Sequence, residues 1–160
     1  MRLWTAQPEL AASESFLAEE HSDFVHALAL CGVDYLVVGA HAFAAHLGRR
    51  ANGALEVMVR PSPENSIRVV RTLAVLDLGL ERLGMTHYDF AYPGTVYDLG
   101  TAQRRVVLVT SISGVDFADA WQTRVAFPIQ DGEAWVLGRE HLSRHMQASG
   151  RSWQTHERRG

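Results

Sequence analysis

The apolar residues of this chain alternate between helical and extended spacing. Leu17, Phe24, Leu28 and Cys31 recur on one stripe, with Glu19, Glu20 and Asp23 opposite. That pattern predicts a helix capped at Ser13 or Ser15 and running to about Cys31. Gly32 follows it, the residue suited to a left-handed cap. Val33 to Val38 predicts a short apolar strand, Gly39-Ala40 a turn, and residues 41–47 a short alanine-rich helix. A second strand is expected over 54–59. Its alternation puts Ala54, Glu56 and Met58 on one face and Leu55, Val57 and Val59 on the other. Ser62-Pro63 opens the next helix, with serine as cap and proline at the first helical position. Val69, Leu73 and Leu76 give that helix its apolar stripe. Residues 84–95 are rich in Gly, Pro and aromatics and predict a loop. Strands are expected at 96–99, 105–109, 123–127 and 134–137, with a helical turn at 116–121 and a last helix over 139–148. Residues 1–12 and 149–160 lack periodicity and are expected to be loose. The order predicts one domain of the α/β (α+β) class, a small mixed sheet backed by helices.

Composition narrows the chemistry. At 160 residues and 47% hydrophobic content the chain can build a core without staples. The single Cys31 excludes an internal disulfide framework and a four-cysteine zinc site. All 15 basic residues are arginine. Without lysine there is no Schiff base, no lysyl-adenylate and no Gly-Lys-Ser/Thr phosphate loop. A net charge of -3 provides no overall basic field for nucleic acid. No apolar run approaches the roughly 20 residues of a membrane span. The N-terminal segment carries Arg2, Glu9 and Glu14 where a secretory signal needs an apolar stretch. A cytoplasmic setting without membrane contact is the expectation.

Three features are candidates for function. The Gly39-Ala40 junction between a strand and a helix is a potential phosphate seat, because free amides point out of a helix N-terminus. His141 and His145 stand four apart on the last helix and could share a metal, but no third ligand is evident; a solvated face is the commoner setting for such a pair. His41 and His46, five apart, fall on different faces. Arg49, Arg50, Arg60, Arg104 and Arg105 flank the strands, and Arg151, Arg158 and Arg159 lie in the tail. They fit either phosphate contacts or a solvated face.

Several segments carry a resemblance in order: DYLVVGAHAFAAH (34–46), PSPENSIRVVRTL (61–73), DFAYPGTVYDLG (89–100), TSISGVDFADAW (110–121), and VLGREHL (136–142) followed by ASGR (148–151). Across residues 16–151 the chain resembles small bacterial nucleotidyltransferase-fold proteins related to the abortive-infection, AbiE-type toxins. The resemblance implies a short mixed sheet with an active site on its open face. It implies two carboxylates at alternate positions of the second strand and a third on a neighbouring strand. Alternate strand residues share a face, so such carboxylates can hold two Mg²⁺ ions about 3.5–4 Å apart for phosphoryl transfer. The glycine turn before the first short helix would hold the triphosphate. It further implies a toxin–antitoxin or defence setting.

Laid on this chain, the charged positions depart from the pattern. The first carboxylate position is Ala54, the second Glu56 and the third Val107. The second glycine of the turn is Ala40, and a lysine of the last helix is replaced by Met146. Glu56 alone could hold only a weak, largely hydrated Mg²⁺. The resulting expectation is a fold that has lost transfer and acts by binding a protein partner, a second copy, a nucleotide or RNA. Gly39, Ala40, His41, Arg50, Arg60 and Arg105 are the candidate nucleotide contacts. The alternative is an active, Mg²⁺-dependent enzyme moving a nucleotide onto RNA or protein through Glu56, with Asp98 or Asp116 as the other carboxylate. A more distant possibility is metal-dependent hydrolysis using His41, His141 or His145.

Overall fold

The computed structural model describes residues 10–11, 14–78, 84–100 and 105–150. Its elements, in order, are α1 (Glu19–Leu30), β1 (Tyr35–Val38), α2 (Gly39–His46), β2 (Leu55–Val59), α3 (Pro63–Val75), β3 (Val96–Leu99), β4 (Val106–Val109), α4 (Phe117–Gln122), β5 (Val125–Ile129), β6 (Gly132–Val136) and α5 (Arg139–Ser149). The strands form one sheet in the order β3-β4-β2-β1-β6-β5. Pairs β3–β4, β2–β1 and β6–β5 are antiparallel, while β2–β4 and β1–β6 are parallel. The protein is a mixed α/β domain built on one mixed sheet, as the sequence predicts.

Several boundaries differ from the sequence reading; β5 runs Val125–Ile129 where 123–127 is expected, and β6 runs Gly132–Val136 where 134–137 is expected. The first helix begins at Glu19, not at a serine cap. Ser15 closes a tight turn instead: its hydroxyl donates to the Leu17 carbonyl at 2.7 Å and accepts from the Leu17 N–H at 3.0 Å. Phe16 and Leu17 are thereby buried ahead of the helix. Ser13 lies outside the described residues. Gly39-Ala40, expected as a turn, is the first turn of α2 itself. The last helix runs one residue further than expected, through Ser149, and Gly150 closes it in the left-handed conformation.

Ser62 caps α3 as its sequence indicates, accepting from the Asn65 N–H at 3.1 Å with Pro63 in the first turn. Ser62→Ala is expected to lower stability by about 1 kcal/mol, the usual value of a helix cap. Urea denaturation reads this directly, and an unchanged midpoint would show that the cap is dispensable.

Alternation along β2 and β4 divides the sheet into two faces. Leu55, Val57, Val59, Val106 and Leu108 are buried on one of them. Phe24 of α1 lines a cavity there together with Val106 and Leu99. α1 also touches α2 through His21 and His41, and packs on α3. The opposite face carries Glu56, Met58 and Val107. Its far half is covered, since Met58 is buried and shares a cavity with Phe117 of α4. α5 closes against this layer. The chain passes so near it at Gly114 that a Cβ there would lie 2.8 Å from Ala148 Cβ and 3.1 Å from the Arg144 carbonyl. Gly114 also has φ +78°, so both backbone and space call for glycine.

Candidate functional site

One row of residues crosses the sheet at the end of β1. Val38 pairs with Glu56, Glu56 with Val107, and Val107 with Asp98. Side chains in register share a face, so two of the three positions at which the family resemblance implies carboxylates lie side by side. They hold Glu56 and Val107, with Ala54 one residue before β2. Asp98 ends the row two strands from Glu56, a backbone separation of about 10 Å. It is already bound: Arg105 Nε and Nη2 both donate to its carboxylate, at 2.9 and 2.5 Å. That pairing holds the Asp98 carboxyl below the usual aspartate range. Asp116 lies elsewhere, capping α4 through the Asp119 N–H at 3.1 Å.

Glu56 makes the closest approach of the site. Gly39 opens α2 with φ +69°, and a Cβ built there would collide with the Glu56 carboxylate. The carboxylate therefore lies against the first turn of α2, where the sequence reading seats a phosphate. The N-cap residue, Val38, supplies no side-chain hydrogen bond to that helix end. A negative charge beside a helix N-terminus is favourable, because the first amides carry partial positive charge. The glycine is thus required by this chain's own side chain.

The other candidates separate. His41 is 2% exposed and turned into the core. Its ring meets His21 edge to face at 5.3 Å. His21 donates from Nε2 to the Arg105 carbonyl at 3.2 Å. Nδ1 of both rings is buried with no hydrogen-bond partner among the described residues. Burial, then the neighbouring His21, pushes His41 down to about 3, and burial also lowers His21. His41 is therefore a neutral core group. Its partner His21 is missed by sequence reasoning, because nothing in the spacing of 21 and 41 signals two helices in contact.

Arg50 donates from Nε to the Ser15 carbonyl at 2.9 Å. Arg60 stands at the opposite end of β2 from Gly39, bound to Asp34 at 2.7 Å. Arg105 is held by Asp98. Arg104, Arg151, Arg158 and Arg159 lie outside the described residues. His141 and His145 are not on a solvated face: both are buried. His145 Nδ1 donates to the Ser113 carbonyl at 2.9 Å, and His141 Nδ1 lies 3.2 Å from Thr123 Oγ1. They anchor α5. His46, as expected, points elsewhere than His41, donating from Nε2 to the Leu137 carbonyl at 2.8 Å.

No group of three His, Cys, Asp or Glu side chains placed to hold a metal occurs among the described residues. A two-metal site of the implied kind needs several carboxylates on one spot. The row holds one carboxylate on a helix turn and another locked to an arginine, and this donor set does not fit a Mg²⁺ pair. No helix among the described residues is long and apolar enough to cross a membrane. Comparison with protein-family models, curated proteins and solved structures gives no match.

Proposed function

We propose that this chain is a nucleotidyltransferase-like domain that works by binding and has lost transfer. The observation that supports this reading is the Glu56 carboxylate lying against Gly39, with Val107 beside it in the row. The one carboxylate at an implied metal position is set against the turn that would receive a triphosphate, and the next position is apolar. Electrostatic stabilisation by metal-held charge is the main catalytic term in phosphoryl transfer, and these side chains do not provide it. The cationic groups support a ligand other than a polyanion. Arg60, Arg105 and Arg144 are each paired with a carboxylate, and the net charge is negative. A protein partner or a small molecule fits this surface better than RNA.

The test is thermal stability with each of the four NTPs, with and without Mg²⁺, beside an assay for label transfer from the NTP. A ligand at 100 times its Kd stabilises by about 2.7 kcal/mol. The expected result is no shift that requires Mg²⁺ and no transferred label. A shift needing both NTP and Mg²⁺, with transfer abolished by Glu56→Ala, would establish the enzyme reading instead.

A further inference from the structure

A cavity of about 510 Å³ opens on the Glu56 face of the sheet but at the other end of β2, beyond Met58. It lies between the ends of the parallel strands β2 and β4 and the start of α4, and Arg60, Ser111, Val115, Asp116 and Phe117 help line it. Its volume falls in the range of small-molecule sites, which combine apolar walls with a few fixed polar groups.

The fixed group is Arg60. Its Nε donates to Asp34 at 2.7 Å, and its guanidinium carbon sits 4.8 Å from the Phe117 ring centroid and 5.5 Å from that of Trp121. The guanidinium is held by a carboxylate on one side and by aromatic rings on another before any ligand arrives. A planar guanidinium so held is a stacking surface for a planar heteroaromatic ring. Met58 and Val115 supply apolar contact in the same cavity.

The polar groups are unsuited to a phosphate. Asp34 already neutralises Arg60, and Asp116 adds a negative charge at the rim. They suit hydroxyls. The Ser111 hydroxyl accepts from the Gly94 N–H at 3.0 Å, which leaves its own proton to donate. Asp116 uses Oδ2 to cap α4, which leaves Oδ1 as an acceptor for a ligand hydroxyl.

We infer that this cavity binds an uncharged nucleoside-like molecule, a planar heteroaromatic ring with a hydroxylated sugar, the ring on Arg60 and a sugar hydroxyl on Asp116. The site shares no residue with the Gly39–Glu56 turn. It stands whether or not the reading of lost transfer does.

The experiment is calorimetric titration of the full chain with adenosine, uridine, AMP and inorganic phosphate, without metal. Saturable binding of a nucleoside, tighter than that of AMP, is expected. Asp116→Asn keeps the α4 cap, since asparagine caps as well as aspartate, and is expected to weaken nucleoside binding about tenfold. Val115→Trp fills the cavity and is expected to abolish it. Glu56→Gln is expected to leave it unchanged. No saturable nucleoside binding overturns the inference, as does binding that Asp116→Asn does not weaken. AMP or phosphate binding more tightly than the nucleosides, and tightening further in Asp116→Asn, overturns it in favour of an anion site. In the separate thermal-stability test with NTPs, a Mg²⁺-dependent shift that Glu56→Gln removes, beside unchanged nucleoside binding here, counts against lost transfer and leaves this site intact.

Discussion

Gly39→Ala is expected to destabilise the fold by about 1–3 kcal/mol, a fall in Tm of several degrees for a domain of this size. Two effects add. An alanine at φ +69° pays the left-handed penalty, roughly 1–2 kcal/mol. The new Cβ also displaces the Glu56 carboxylate from the first turn of α2. Moving it forfeits the favourable interaction of an anion with a helix N-terminus, typically about 0.3–1 kcal/mol.

The two effects can be separated. In a Glu56→Ala background the collision is gone and only the backbone penalty is left. Gly39→Ala should then destabilise by about 1 kcal/mol less than in the unmodified chain, a coupling that a double-mutant cycle in urea measures. Equal losses in both backgrounds would mean that the carboxylate gives way freely and that the glycine serves the backbone alone. The same cycle bears on the proposed function. A coupled pair means that the seat a triphosphate would need is built around Glu56.

What was legible in the sequence follows from how local each signal is. The apolar runs that predict strands at 33–38, 54–59 and 105–109 and the Ser62-Pro63 cap depend on neighbours a few residues away; the strands form there, one or two residues shorter at their starts, and Ser62 caps the helix. The alternation that put Glu56 opposite Leu55 and Val57 also held. The strand order did not follow from it, because β1 pairs in parallel with β6, about a hundred residues on. Burial misled where a residue's polarity ran against its surroundings. His141 and His145 look like surface residues on a polar helix, yet each meets a specific partner, Thr123 and Ser113, on a distant loop. Asp98 and Arg60 read as available charges, and each is consumed by an ion pair with a residue 7 or 26 positions away. The row of Glu56, Val107 and Asp98 needed both the register and these pairings before its chemistry could be judged.

The second large effect is a loss of stability in acid that originates at His41. Its folded-state pKa is about 3, against an ordinary value of 6.5, and burial is the principal cause. A depressed histidine binds fewer protons in the folded chain than in the unfolded one. The stability linked to it is therefore fully present above pH 6.5 and is lost progressively as pH falls towards 3. One group contributes up to about 1.4 kcal/mol per pH unit across that window. Between pH 6.5 and 4.5 the chain should lose about 2–3 kcal/mol at this site alone. His21 acts in the same direction, since its pKa is also lowered, and a proton on either ring disfavours one on the other. The check is urea denaturation of the unmodified chain and of His41→Leu over that range. Leucine removes the titration and the buried Nδ1 together, so its curve should be flatter and should cross above that of the unmodified chain in acid. The carboxylates are common to both proteins and drop out of the difference. Parallel curves would mean that His41 reaches solvent and is protonated at little cost. Its place at the base of α2 would then be open to ligand chemistry after all.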